Sequence, residues 1–75
     1  MSPMEQAALD YEQAAHELER ATAHLRESAK HMREREVPRA CAHALAALGH
    51  LKQAEQRVHA RAIDHAGRSH LRGEA

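Results

Sequence analysis

The sequence predicts an all-α fold: a two-helix antiparallel hairpin, coiled-coil-like and rich in alanine, that pairs with a second copy as a homodimeric four-helix bundle. Three observations predict it. A seven-residue repeat of apolar positions runs through each half of the chain, Pro38 interrupts that repeat at the midpoint, and the two repeats have nearly equal length. At 75 residues the chain is one domain. A chain this short buries a small share of its surface, so its own core is marginal.

The first helix opens at Ser2-Pro3-Met4-Glu5, which reads as a capping box with proline at the first helical position. Asp10 and Glu12 follow near the positive helix end. Met4, Tyr11, Leu18, Leu25 and Met32 then occupy heptad position a. Ala7, Ala14, Ala21 and Ser28 occupy d, and Ala8, Ala15, Thr22 and Ala29 occupy e. Large residues at a beside small ones at d and e make a stripe for close helix packing.

Helix one is expected over about residues 3–35, with a turn at about 35–37. The residue before Pro38 avoids helical angles, and proline suits a first helical turn. Helix two is expected from about 38 to 66, with Gly67 as its stop and 68–75 as a frayed tail. Its repeat places Ala44, Leu51 and Val58 at a, Ala40, Ala47 and Ala54 at d, and Cys41, Leu48 and Ala62 at e, with Leu45 widening the stripe.

Folding the chain back at residue 36 sets Leu25 against Ala47, Leu18 against Ala54 and Ala21 against Leu51. Tyr11 then faces Arg61, a cation–π arrangement. On the flanking g side the expected pairs are Glu17–Arg57, His24–His50 and His31–His43, with Asp10–Asp64 a poor pair that Arg61 and His65 offset. The other flank presents Ala8, Ala15, Thr22, Ala29, Cys41, Leu45, Leu48 and Ala62. A large apolar surface of this kind marks an interface, and these eight residues are the expected dimer contact.

Composition narrows the function classes. The net charge is zero with histidine neutral, which argues against a general nucleic-acid or anionic-membrane binder. The charge is uneven: residues 1–36 hold five Lys/Arg and eight Asp/Glu, and residues 37–75 hold six and three. There is no long apolar run, so no membrane association is expected. The single cysteine, Cys41, has no internal partner and reads as a small interface residue of a reducing, cytoplasmic setting. No phosphate loop, nucleophile elbow or buried carboxylate pair is present, so no enzyme is expected.

One constellation stands out among the eight histidines. His24, His31, His43 and His50 lie seven apart on each helix and opposite one another across the pair. Neutral imidazole is a ligand for Zn²⁺, Cu²⁺ and Ni²⁺, so these four are candidate metal ligands, and Glu27 and Glu34 sit one turn either side of His31. No Glu-x-x-His of a di-iron bundle and no cysteine pair of a structural zinc site accompanies them. Protonating both members of a facing pair places like charges together, which would loosen the hairpin near pH ~6.

The sequence therefore points to a small non-enzymatic dimeric interaction or regulatory module with an unidentified protein partner. A transition-metal-binding protein is the alternative. A second alternative is a nucleic-acid regulator using Arg57, Arg61, Arg68 and Arg72 with His59, His65 and His70. No aromatic ring in that stretch stacks on a base.

Overall fold

The computed structural model describes the backbone of residues 1–74 and the side chains of residues 1–64. It consists of α1 (Pro3–Arg33) and α2 (Val37–Glu74), with no strand among the described residues. The helices lie against each other as a hairpin. No described helix is long and apolar enough to cross a membrane.

The start of α1 forms the Ser2 half of the expected capping box. Ser2 Oγ accepts a hydrogen bond from the Glu5 amide at 3.1 Å, and the Gln6 amide bonds the Ser2 carbonyl at 2.9 Å. The first contact satisfies an amide that the helix itself leaves without a partner, and the second is the first i→i−4 bond of the helix.

α1 closes in a Schellman motif. The Arg35 amide bonds the Met32 carbonyl at 3.1 Å, and the Glu36 amide bonds the His31 carbonyl at 2.8 Å. Arg35 holds the left-handed conformation (φ 61°) that glycine usually takes at this position. Glu36 then starts α2 at once, its carbonyl accepting from the Ala40 amide at 3.1 Å and its carboxylate meeting Arg39 at 3.0 Å. The turn is therefore residues 34–36, one residue earlier than expected. α2 also continues through Gly67, where a stop was expected. A glycine inside a helix costs only ~1 kcal/mol relative to alanine, which does not by itself end one. Side chains of the expected tail, 68–75, lie outside the described residues.

The tighter turn moves the register by about one helical turn. Ser28 Oγ donates to the Ala40 carbonyl at 2.8 Å, which sets d opposite d rather than a opposite d. The buried apolar residues are all alanines at d: Ala14, Ala21, Ala40, Ala47 and Ala54, each 1–3% exposed. The large a residues stay half in solvent, with Leu18 at 45%, Leu25 at 49% and Leu51 at 39% exposed. With 100° between successive residues, a and e fall to one side of a d seam and g to the other. The hairpin is thus a single layer with two unlike faces.

That layer measures 60 × 24 × 12 Å, its thin dimension about one helix diameter. Its radius of gyration is 17.3 Å, against about 11 Å for a compact domain of this length.

Two substitutions test this account by denaturant unfolding. Arg35→Gly should stabilise the hairpin by about 0.5–1 kcal/mol, since the relief of left-handed strain exceeds glycine's added unfolded-state freedom. Ala47→Leu should destabilise it by about 1–3 kcal/mol, because the seam has no room for three more carbons.

Candidate functional site

The g positions of both helices line the face opposite the apolar one. There the four predicted histidines come together, but as a ladder and not as two separate pairs. His31 stacks on His43, with ring centroids 5.3 Å apart and planes 8° from parallel. His43 meets His24 at 5.2 Å, tilted by 35°, with Nδ1 to Nδ1 at 3.0 Å. His24 stacks on His50 at 5.6 Å and 12°. Rings from α1 and α2 therefore alternate along the axis, and both expected pairs survive inside a longer row. At the Nδ1–Nδ1 contact one ring donates and the other accepts. Protonating both turns the acceptor into a second donor and breaks that contact.

Each end of the ladder meets a carboxylate. At the end away from the turn, His50 Nδ1 lies 2.6 Å from Oε2 of Glu17. Glu17 is the one buried charged residue among those described, 8% exposed. The hydrogen bond from His50 holds its carboxyl below the ordinary 4.5; burial opposes this, and the positive fields of His50, Arg20 and Arg57 add to it. At the turn end, His31 Nδ1 lies 3.2 Å from Glu36 Oε1 and 3.9 Å from Glu34 Oε2, while its Nε2 faces Glu27 Oε2 at 3.7 Å. The Glu36 carboxyl is also lowered, first by its hydrogen bond with Glu34 and then by that with His31.

The expected Glu17–Arg57 pair does not form. The register shift gives Glu17 to His50, and Arg57 donates instead to Gln13 Oε1 at 2.6 Å. Likewise Arg61 takes Asp10 at 3.1 Å and Asp64 at 3.9 Å in place of the Tyr11 ring. It bridges the two aspartates as expected, because two carboxylates draw a guanidinium more strongly than one exposed ring does. Arg57 and Arg61 are thus engaged within the hairpin. The side chains of His65, Arg68, His70 and Arg72 lie outside the described residues.

Ligand atoms of Glu27, His31 and His43 lie within 4.8 Å of one another, and so do those of His31, Glu34 and Glu36. His24 and His50 belong to neither group. The roles of Glu17 and Glu36 escaped the sequence reading. Glu17 is in the g row, but its partner depends on a register that heptad positions alone do not supply. Glu36 enters the site only because the turn brings it back to His31.

On the opposite face, Ala8, Ala15, Thr22, Ala29, Cys41, Leu45, Leu48 and Ala62 are all exposed. Leu25, Leu45, Leu48 and Leu51 line a shallow apolar groove with Cys41, Ala44 and Ala47. Comparison of the chain with known protein families, curated proteins and solved structures finds no match.

Acid unfolding tests the Glu17–His50 contact. A carboxyl whose folded pKa is lowered adds stability that is full above its unfolded value and is lost as pH falls through the folded one. Glu17→Gln should be less stable than wild type at neutral pH, and the gap should close as pH falls below 4.5 and through the lowered folded value. A gap of constant size in denaturant melts across that range would place the effect elsewhere.

Proposed function

We propose that the protein is a small non-enzymatic interaction module that self-associates. Two hairpins close their a/e faces on each other as a four-helix bundle, and the outer surface of that bundle meets a partner protein. The observation that carries this reading is the mismatch between what one hairpin buries and what it leaves wet. Its core is five alanines, while Leu45 is 70% exposed, Leu48 46% and Val58 44%. At roughly 25 cal/mol per Å², so small a buried apolar area gives little against the entropy of ordering 60 or more residues.

The areas favour a second copy as the occupant. The chain exposes 5921 Å², against about 4,600 Å² for a compact monomer of its size. A standard protein interface removes about 800 Å² per partner, which this excess accommodates. The face also carries no charge at its eight core positions, Ala8, Ala15, Thr22, Ala29, Cys41, Leu45, Leu48 and Ala62. Two identical faces related by a two-fold axis then meet without burying an unpaired ion. The histidine ladder stays on the outside of such a bundle, along with Glu and Arg side chains.

Sedimentation equilibrium at micromolar concentration should give twice the chain mass. Leu48→Glu should weaken association at least 100-fold, because it places an unpaired carboxylate in the contact. A folded monomer of wild-type protein at that concentration would refute the reading.

A further inference from the structure

We infer that Glu27, His31 and His43 form a binding site for one divalent transition-metal ion, Zn²⁺ being the best match, which clamps α1 to α2 beside the turn. This does not rest on self-association, because the three residues lie on the face opposite the apolar one.

Three observations carry the assignment. First, the ligand atoms already converge: one from each residue lies within 4.8 Å of the other two. Ligands at ~2.0–2.2 Å from a tetrahedral ion sit ~3.4 Å apart, and the Glu27–His31 separation of 3.7 Å is already close to that. Glu27, half in solvent, is free to rotate inward.

Second, the Nδ1 atom of each histidine is already engaged by a neighbour, which leaves Nε2 as the ligand atom in the tautomer where Nδ1 donates. His31 Nδ1 is held by Glu36 Oε1 at 3.2 Å, which turns Nε2 toward Glu27. His43 Nδ1 is engaged by His24 Nδ1 at 3.0 Å; donation from His43 leaves its Nε2 unprotonated. Metal-bound histidines almost always donate their other ring nitrogen to a carboxylate or similar acceptor, which fixes ring orientation. Here His31 has a carboxylate at Nδ1 and His43 has an imidazole there before any ion arrives.

Third, the local charge suits a cation. Glu27, Glu34 and Glu36 all lie within 4 Å of the His31 ring nitrogens. Two imidazoles and one carboxylate form the donor set of Zn²⁺ sites that keep a fourth position for water. Cu²⁺ and Ni²⁺ share the preference for imidazole. Glu27 and His31 lie one turn apart on α1, and His43 lies on α2, so the ion joins the two helices.

The test is calorimetric titration of the tag-free full chain with Zn²⁺. Wild type should bind one ion per chain with micromolar or tighter affinity. His31→Gln and His43→Gln should each weaken binding at least 100-fold, and Glu27→Gln about tenfold. Glu27 is exposed and holds no part of the core, so its substitution leaves the helices intact, as circular dichroism should verify. A His16→Gln/His59→Gln double variant should bind as wild type does. Absence of binding to wild type, unchanged binding in the three site variants, or an equal loss in the double variant would each overturn the site.

Discussion

Close approach of the two helices over alanine is the contact on which the remaining features depend. An alanine seam brings helix axes toward the short end of the ~8–10 Å range. At that spacing side chains on the flanks of one helix reach past the seam to those of the other. Five alanines and Ser28, whose hydroxyl bonds the Ala40 carbonyl at 2.8 Å, fill the seam, and nothing larger fits. Larger residues are forced to one side or the other, which makes the two faces of the layer chemically distinct.

The g face shows what that spacing permits. Imidazoles from the two helices interleave instead of meeting in pairs, so each inner ring touches two others. Two of its contacts are ring stacking and one is a hydrogen bond, and Glu17 and Glu36 supply acceptors at its ends. The lowered carboxyl of Glu17 follows chiefly from its contact with His50, and that of Glu36 from Glu34 first and His31 second. The turn matters as much as the helices do. The left-handed Arg35 lets Glu36 return directly onto His31 while its backbone starts α2.

The a/e face is the consequence of a fold one layer thick. Two packed helices enclose no volume, so every large side chain at a keeps more than a third of its surface in water. In larger domains a second layer covers such a face, and the described residues form only the two helices of one layer. The same geometry separates the two proposals physically. Covering the apolar face leaves the ladder accessible, and an ion at the ladder touches no residue of the apolar face.

The sequence by itself determined the helical class, the cap at Ser2, the turn within a residue, and which residues share each face. All of these follow from local rules: a seven-residue period, a capping side chain and a proline. Hence the four histidines were legible as one row. Only the tertiary structure decided the register, because the repeat constrains faces and not the axial offset between helices. A Schellman turn one residue earlier set d against d, left the a residues at the surface, and gave Glu17 to His50 and Arg61 to Asp10. It also selected His31 and His43, with Glu27, as the residues whose ligand atoms converge. Heptad positions repeat every seven residues, so they fit several offsets equally well, and only the closed turn chooses among them.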